Sequence, residues 1–374
     1  MKRLILLGAG HSHLLVLKRF ARLSLPQIEL LVVTPSPWQY YSGMIPGWMI
    51  GNYDLDEARI AVETQVKAAK GVLILDKAVS ISAETRQIEL AGGQCLTYDF
   101  LSIDIGSQSN LLSLHGLKIP LMAVKPIEQF IQQWDSLRRN LSEGKPATHL
   151  VLLGGGAAGV ELALAAAVSL KASYLKPPAI SLVTGKKGLL PGFSLKMRRL
   201  VYRALAEQGV VLYEQPAVAK EGKLFLEDGS QLEATQVIAA TDSRPLELLA
   251  KSGLKQDAKG FVLVDSFHRT LSHPEVFAAG DTCSRSDKKI SRSGVHAVRA
   301  GAVLACNLEA SLSEKKELQP FYPRPHSLYL LASGYRSAIG SYGLLTFSGY
   351  WVWQLKKWID QRFIKGFGGS FPPS

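Results

Sequence analysis

The sequence has few cysteines, three in 374 residues, at Cys95, Cys283 and Cys306. They are far apart, so the chain has no closely spaced thiol pair of the CxxC or CxxxxC type, and we expect no disulfide framework. Such sparing use of cysteine is typical of a reducing compartment. We therefore expect a cytoplasmic protein, and peripheral attachment to the inner face of a membrane stays open as an alternative.

Long apolar runs are also absent. No stretch reaches the roughly 18 apolar residues that a membrane-spanning helix needs, so we expect none. Leu4–Leu7 follows two basic residues but is too short for a signal peptide and lacks a cleavage site, so it is predicted to be a buried strand. Because 47% of the residues are hydrophobic, the chain is not disordered, and its length predicts two or three domains.

Acidic residues are the minority, with 31 Asp and Glu against 43 Lys and Arg, and the net charge is +12. This excess predicts an anionic partner such as a nucleotide, a nucleic acid or lipid headgroups. No nucleic-acid recognition fold is indicated, so we expect no nucleic-acid partner. His11 and His13 have no third ligand nearby in the sequence, so we expect no metal site.

A glycine turn follows the first apolar run. Gly8 and Gly10 precede a helix predicted over 14–23, which is the first half of a dinucleotide-binding βαβ unit. In such a unit the first glycine makes the tight turn, and the second lets a diphosphate approach the helix N-terminus. Two positions depart from the usual pattern. His13 replaces the third glycine and is expected to hold helix and strand slightly apart, and Thr34 replaces the acidic ribose ligand.

A second glycine loop has the full GxGxxG spacing. Gly154, Gly156 and Gly159 lie between an apolar strand and a helix predicted from Val160. Two such units predict two nucleotide sites on one chain. A third motif, Gly280-Asp281, follows another predicted strand, and its carboxylate can bond a polyol such as the ribityl chain of a flavin.

The order of these three motifs resembles the two-dinucleotide-binding flavoproteins, the pyridine nucleotide-disulfide oxidoreductases. The stretches GAGHSH, YYSGMIPGWMIGNY, SGVHAVRAG and WVWQLKKWIDQRF are similar to the NADH dehydrogenase-like module fused to selenide, water dikinase, and more distantly to type II NAD(P)H:quinone oxidoreductases. The resemblance covers essentially the whole chain. It implies an α/β fold with two Rossmann-like domains, β-ribbon insertions and a C-terminal segment.

The resemblance also implies two cofactors, FAD in the first site and NADPH or NADH in the second. It implies Glu161 beside the nicotinamide–flavin stack, and His296 is a candidate proton relay. For His11 and His13, contact with the cofactor and simple packing both stay open, as do 2′-phosphate binding and a solvated basic turn for Lys186. The candidate cofactor contacts are Gly8, Gly10, His11, Ser12, His13, Thr34, Tyr41, Ser42, Gly43, Gly154, Gly156, Gly159, Lys186, Gly280 and Asp281.

We predict a discontinuous FAD domain over 1–119 and 260–317, an inserted NAD(P) domain over 120–259, and a C-terminal segment over 318–374. The FAD domain carries β ribbons over 71–98. The C-terminal segment contains an amphipathic helix. Its predicted apolar stripe is Val352, Leu355, Ile359 and Phe363, extended on one side by Trp351 and Trp358. The opposite, polar face is predicted to carry Lys356, Lys357, Asp360 and Gln361, whereas Trp353 and Arg362 interrupt the pattern. Membrane docking and packing back on the protein, or on a second copy in a homodimer, are the alternatives for this helix.

Without a redox disulfide, electrons must leave the flavin directly. We therefore expect an FAD-dependent NAD(P)H dehydrogenase that reduces a quinone-type small-molecule acceptor at a membrane surface. Two alternatives stay open. One is an electron-transfer subunit that reduces a protein partner handling selenium or sulfur, and the other is a non-catalytic flavin-binding sensor.

Overall fold

The computed structural model describes residues 1–23, 27–144, 148–314 and 317–369. The helices in this part of the chain are α1 His11–Phe20, α2 Ile45–Ile50, α3 Val62–Ala68, α4 Ile127–Ser142, α5 Ala157–Ser173, α6 Leu195–Glu207, α7 Gly294–Leu312 and α8 Tyr350–Lys365. The strands up to the second glycine loop are β1 Lys2–Leu7, β2 Ile28–Thr34, β3 Trp38–Tyr40, β4 Arg59–Ala61, β5 Val72–Leu75, β6 Ala78–Ser82, β7 Gln87–Leu90, β8 Cys95–Thr97, β9 Phe100–Ile103, β10 Gln108–Ser109, β11 Leu121–Ala123 and β12 His149–Leu153. The later strands are β13 Ala179–Val183, β14 Val210–Tyr213, β15 Ala217–Lys220, β16 Lys223–Leu226, β17 Gln231–Leu232, β18 Gln236–Ala239, β19 Ser243–Arg244, β20 Val262–Val264, β21 Val276–Ala278, β22 Cys283–Arg285, β23 Leu328–Gly334, β24 Ser337–Tyr342 and β25 Leu345–Gly349.

The chain divides into two compact units. Unit 1 comprises Met1–Gln39, Arg59–Gln108 and Arg244–Pro325, and unit 2 comprises Tyr40–Ala58, Ser109–Ser243 and His326–Ser374. The predicted domain boundaries differ from the boundaries of these two units. Residues 40–58 and α8 belong to the unit that contains the second glycine loop, and 244–259 belong to the unit that contains the first. The assignment of one cofactor to each predicted domain stays a prediction.

Unit 1 is built on a parallel sheet of order β21-β9-β1-β2-β5. Its central strand is buried on both faces, which explains the uninterrupted apolar run near the N-terminus. Leu4 and Leu6 pack into a core with residues of α1 and α7, whereas Ile5 and Leu7 pack into a second core with the ribbon β6-β7-β8. The predicted ribbon over 71–98 is therefore wrong at its start, because β5 joins the parallel sheet.

Unit 2 repeats this arrangement. Its parallel sheet has the order β11-β18-β12-β13-β14, and α5 follows the central strand. The α5 helix is buried on nearly every side, because it packs against α2, β13 and β23. Together with the sheet of unit 1, this confirms the predicted α/β fold with two Rossmann-like sheets. Both glycine-loop helices start three residues earlier than predicted, at His11 and Ala157.

The C-terminal part of unit 2 is an antiparallel sheet, β23-β24-β25, followed by α8. Of the predicted apolar stripe of α8, Val352 is buried, whereas the predicted polar face is wrong at Lys356 and Asp360. Its buried residues are Val352, Trp353, Lys356, Asp360 and Ile364. Trp351 and Trp358 each keep 56% of their surface exposed. No helix in the described part of the chain is long and apolar enough to cross a membrane.

Candidate functional site

The predicted site residues fall into both units. Unit 1 holds Gly8, Gly10, His11, Ser12, His13, Thr34, Gly280, Asp281 and His296, whereas unit 2 holds Tyr41, Ser42, Gly43, Gly154, Gly156, Gly159, Glu161 and Lys186. The Tyr41–Gly43 segment was predicted as part of the first cofactor site. It packs against the C-terminal helix and lies beside Glu161, and its contact with a cofactor stays a prediction.

The first glycine loop closes tightly against the end of β9. Gly8 has a φ of +89°, which favours glycine, and a side chain there would collide with the backbone of Asp104. A side chain at Gly10 would collide with the Asp104 carboxyl group. The carboxyl oxygen Oδ2 accepts hydrogen bonds from the N–H groups of Ser12 at 2.8 Å and His13 at 3.1 Å. Asp104 thus caps α1 from a different strand, which the sequence analysis did not foresee.

The ring of His13, on α1, forms hydrogen bonds both to the glycine loop and to β9, and the predicted spacing of helix and strand stays a prediction. Nδ1 lies 2.6 Å from the carbonyl oxygen of Gly8, and Nε2 lies 2.8 Å from Oγ of Ser102. A carbonyl only accepts, so Nδ1 carries the proton and Nε2 accepts from the serine hydroxyl. Burial lowers the pKa of His13 to about 4, so the ring is neutral. The histidine therefore ties the first loop to β9.

The neighbouring residues of this loop are also enclosed. Burial lowers the pKa of His11 to about 4, although Asp281 acts in the opposite direction. The hydroxyl of Ser12 donates to the carbonyl oxygen of Ala297 in α7, at 2.8 Å. Thr34 is buried at the end of β2.

A small cleft with a volume of about 40 Å³ lies beside the Gly-Asp turn of unit 1. Gly280, Asp281, Arg292 and His296 are among the residues that line it. His296 is in the first turn of α7, where burial, and then Arg299, lower its pKa. Cys283 lines the same cleft, and burial raises the pKa of its thiol to about 12, so the thiol stays protonated and unreactive.

The second glycine loop is open where the first is capped. Gly154 has a φ of +134°, and a side chain at Gly159 would collide with the Gly154 carbonyl oxygen, so the third glycine allows close packing. Gly156 is the N-cap of α5 and a side chain there would meet open space. Gly156 has no side chain that could cap this helix. Its N-terminus therefore suits a ligand diphosphate.

Lys186 follows the second strand of this unit, β13, where a nucleotide ribose is expected. The side chain is exposed, and its Nζ lies 2.7 Å from Oε1 of Glu227 in the β16–β17 hairpin. Exposed pairs of this kind contribute little to stability. The ammonium group can therefore leave Glu227 for a ligand phosphate at small cost.

The most unusual electrostatic feature is a buried charge cluster in unit 2, formed by Glu161, Lys356 and Asp360. The Nζ atom of Lys356 lies 3.8 Å from Oε1 of Glu161 and 3.2 Å from Oδ2 of Asp360. It also donates a hydrogen bond to the carbonyl oxygen of Gly43 at 2.6 Å. Oε1 of Glu161 accepts from the N–H of Ala332 at 2.7 Å. All three side chains are at most 11% exposed, so the cluster is shielded from bulk water.

The Tyr41–Gly43 loop is held by the same cluster. The Tyr41 hydroxyl is hydrogen-bonded to Asp360, and its ring stacks on Phe363 with ring centroids 4.6 Å apart. Ser42 starts the short 3₁₀ turn Ser42–Met44. Residues of α5, α8 and this loop thus converge on one buried site.

Burial dominates the protonation of this cluster. It raises the pKa of Glu161 to about 7 and that of Asp360 to about 6, against the opposing effect of Lys356. Burial disfavours the charged form of Lys356, but Asp360 and Glu161 outweigh it and raise its pKa. The pKa of Tyr41 is raised by burial and by Asp360. One ammonium group thus faces two carboxyl groups, and the cluster carries an exchangeable proton near neutral pH.

Lys356 and Asp360 were assigned to the solvent-facing side of α8, so the sequence analysis missed them. A helical wheel scores each side chain alone, whereas opposite charges at i and i+4 can enter the interior as a pair. The available signal was that spacing together with Trp353, which interrupts the predicted stripe and is buried.

Comparison with known proteins agrees with this geometry. The model of the family described as pyridine nucleotide-disulphide oxidoreductase matches residues 2–301, and the chain belongs to this family. An NADH dehydrogenase-like protein of Mycobacterium tuberculosis is 24% identical over 328 residues, which cover 82% of this chain and 80% of that protein.

Two solved structures have the same fold. The NDH2 protein of Plasmodium falciparum in complex with NADH has a TM-score of 0.81 at 13% identity and covers 100% of both chains. The sulfide:quinone oxidoreductase of Aquifex aeolicus has a TM-score of 0.79 at 16% identity, covering 100% of this chain and 93% of that one. With its family, the protein is an FAD-dependent NAD(P)H oxidoreductase, and its cofactors are FAD and NAD(P)H.

Proposed function

We propose that the protein passes electrons from NAD(P)H through FAD to a quinone-type acceptor, and that the cluster of Glu161, Lys356 and Asp360 supplies a proton to that acceptor. The buried cluster is the observation that carries this proposal. Conversion of a quinone to a quinol consumes two electrons and two protons. An acid that titrates near neutral pH in a shielded site is suited to deliver one of these protons.

The cofactors are assigned to the two glycine loops. FAD, when bound, supplies the two-electron chemistry. We assign it to Gly8 and Gly10, with Asp281 as acceptor for a ribityl hydroxyl. We assign NAD(P)H to the loop of Gly154 and Gly156, where α5 presents its uncapped N-terminus. We propose the remaining candidate residues predicted from the sequence as contacts of these two cofactors as well.

The roles of the chain's own groups follow from their charges. Lys356 offers a permanent positive charge that can attract the oxygen of a bound acceptor. Glu161 holds the exchangeable proton, and Asp360 keeps Lys356 charged and in place. His296 in unit 1 is neutral at physiological pH, so it is suited to carry a proton at the cleft beside Asp281.

The nature of the acceptor is supported by two observations. The chain has no closely spaced cysteines, so thiol chemistry cannot serve as the exit for electrons. One protein of the same fold is a sulfide:quinone oxidoreductase. A quinone-type molecule accepts electrons from a flavin directly and needs protons, which the cluster can provide.

We also propose that the protein docks on a membrane surface, where hydrophobic quinones reside. The outer side of α8 presents Trp351 and Trp358, and Tyr350 at its start is 57% exposed. In the preceding hairpin Leu344 is 90% exposed and Leu345 is 67% exposed. Exposed tryptophan beside apolar side chains suits the interfacial layer of a bilayer, and the positive net charge favours anionic lipid.

One experiment tests the proposed reaction. The purified holoprotein is mixed anaerobically with NADH or NADPH, and the visible flavin absorbance is followed before and after addition of a short-chain quinone. Bleaching by NAD(P)H and recovery with quinone are the expected results. Bleaching without recovery would contradict the quinone proposal and point to a protein acceptor, and no bleaching would point to a flavin-binding sensor.

The cluster is tested in the same assay. Glu161→Gln should lower quinone turnover by about 10²-fold, which is typical of the loss of a general acid. Reduction by NAD(P)H, which needs no proton from the cluster, should change much less. Glu207→Gln, in an exposed i,i+4 pair with Arg203 on α6, is the matched control and should behave like the wild type. Equal losses in both half-reactions would contradict a role in acceptor protonation.

A further inference from the structure

The two glycine loops differ at one equivalent position. In unit 1 a side chain at Gly8 would collide with the carbonyl oxygen of Asp104, and in unit 2 a side chain at Gly154 would collide with the carbonyl oxygen of Ala240. Asp104 and Ala240 each follow the strand that pairs beside the central strand of their sheet, β9 and β18. The first loop thus has a carboxyl group where the second has a methyl group.

The Asp104 carboxyl group is enclosed by the glycines of two motifs. Side chains at Gly10 and at Gly280 would both collide with it, and it is only 4% exposed. Its Oδ2 accepts hydrogen bonds from the N–H groups of Ser12 and His13 in the first turn of α1. A dinucleotide diphosphate binds at this same end of such a helix. An ionised Asp104 would therefore add a buried negative charge next to two negative charges of the diphosphate.

In the described residues, the side chains next to Asp104 do not offset the negative charge of its ionised carboxyl group. The α1 helix presents the neutral ring of His13, and β22 presents the protonated thiol of Cys283. The Gly-Asp turn presents Asp281, which carries the same sign of charge, and α7 presents Ala297 beside Gly280. Among the described residues, these elements thus bring no cation to the carboxyl group, and its ionised form is stabilised by the N–H groups of His13 and Ser12 and by the Ser12 hydroxyl.

We propose that Asp104 binds a proton when FAD occupies the first glycine loop, so that FAD binding is coupled to proton uptake, whereas NAD(P)H binding at the second loop is not. This inference rests on the proposed assignment of FAD to the Gly8–Gly10 loop. It gives the two dinucleotide sites of one chain different responses to pH. FAD is then held most firmly under neutral or mildly acidic conditions.

The raised pKa of Asp104 agrees with this inference. Burial raises the pKa of Asp104 to about 7, the N–H groups of His13 and Ser12 oppose this shift, and Asp281 adds to it. Near pH 7 the carboxyl group is therefore partly protonated before any ligand binds. Negative charge from a diphosphate raises its pKa further. The affinity for FAD should consequently fall as the pH rises from the lower to the higher of these two pKa values.

The test measures FAD release from the holoprotein. The protein is diluted in buffers between about pH 6 and pH 9, and free-flavin fluorescence gives the Kd at each pH. For the wild type we expect Kd to rise by up to about tenfold per pH unit above neutrality, as one linked proton requires. A pH indicator in weakly buffered solution should register one proton released with each FAD.

The Asp104→Asn variant keeps an oxygen that can accept from the N–H groups but cannot titrate. We expect its Kd for FAD to be independent of pH over this range, with no proton release. Asp242→Asn, two residues after Ala240, is the matched control and should keep the wild-type slope. A slope unchanged in Asp104→Asn would overturn the inference.

A reciprocal variant covers the case in which Asp104→Asn does not fold. Ala240→Asp places a carboxyl group at the second loop, and the Kd for NADH, measured by nucleotide fluorescence, should become pH-dependent while FAD stays bound. An NADH affinity that stays independent of pH would contradict the inference.

Gly10→Val tests the assignment of FAD to the first loop separately from the role of Asp104. If FAD stays bound in this variant, the assignment of FAD to the loop fails, whereas a loss of FAD leaves the slopes above as the test of Asp104.

Discussion

The ammonium nitrogen of Lys356, near the C-terminus, lies 3.8 Å from Oε1 of Glu161, in the first turns of the helix after the second glycine loop. Both side chains are buried, and Asp360 completes the group. Such a cluster is rarely retained for stability alone, because desolvation of the charges offsets most of their attraction. The proton transfer proposed above would account for its retention in the interior.

Removal of the cation tests this energetic argument. Lys356→Met leaves Glu161 and Asp360 buried without their counter-ion, and we expect the free energy of unfolding to fall by roughly 3–5 kcal/mol. Urea denaturation followed by circular dichroism measures the change. Lys357→Met, at the neighbouring and less buried position, is the control and should alter stability by less than about 0.5 kcal/mol. Similar losses in the two variants would mean that Lys356 has no special role in the cluster.

The pH dependence of turnover should report Glu161. Its pKa is raised to about 7, chiefly by burial, so the protonated form that donates to the acceptor is depleted as the pH rises through that value. We expect kcat for quinone reduction to be constant at mildly acidic pH and to decline above about pH 7. In Glu161→Gln, this decline of kcat with rising pH should be absent. A decline that persists unchanged in the variant would assign the titration to another group.

The same shift has a consequence for stability. The pKa of Glu161 in the folded protein lies above its value in an unfolded chain, about 4.3. The stability contributed by the protonated carboxyl group is therefore complete below about pH 4 and is lost as the pH rises toward about 7. Glu161→Gln should remove this part of the pH dependence in urea titrations. A wild-type slope in the variant would contradict the raised pKa.

FAD affinity should depend on Asp281. Asp281→Ala removes a charge-assisted hydrogen bond to a ribityl hydroxyl, worth roughly 1.5–3 kcal/mol, so the Kd should rise by roughly 10- to 100-fold. Flavin fluorescence after dilution of the holoprotein measures it. Asp228→Ala, in the exposed β16–β17 turn of unit 2, is the control. If the variant holds FAD as firmly as the wild type, the assignment of Asp281 is wrong.

Nucleotide preference is tested at Lys186. Charge reversal to Glu at Lys186 and Lys187 should raise KM for NADPH far more than KM for NADH if these lysines hold the 2′-phosphate. Glu227→Gln, which frees Lys186 from its ion pair, should change the preference in the opposite direction. Lys223→Glu on the same hairpin is the control for net charge. Equal changes in both KM values would show that the lysines form only a solvated turn.

Much of the fold could be predicted from local patterns. Gly8 and Gly154 each follow an apolar strand, and both signals lie within a few residues, so the two Rossmann-like sheets were predictable. The cap on α1 was not, because Asp104 is distant in sequence from the helix it caps. The burial of Lys356 was also hidden, since Glu161 is separated from it by most of unit 2. Polar groups buried through such distant partners are where pattern analysis fails.

The buried and the exposed side of the C-terminal helix, α8, are expected to have different roles, which two kinds of variant can distinguish. Truncation after Ser348 would remove Trp353, Lys356 and Asp360 from the interior, so we expect it to unfold unit 2 rather than simply release an anchor. Membrane docking is therefore tested on the exposed side. The double variant Trp351→Ser/Trp358→Ser should fold, bind FAD and react with NAD(P)H like the wild type. It should lose sedimentation with vesicles of anionic lipid and reduce long-chain quinones more slowly, because interfacial tryptophans hold an amphipathic helix at the bilayer. Tyr202→Ser, at an exposed aromatic residue of α6, is the control. Undiminished sedimentation of the tryptophan variant would show that this face of α8 is not the docking surface.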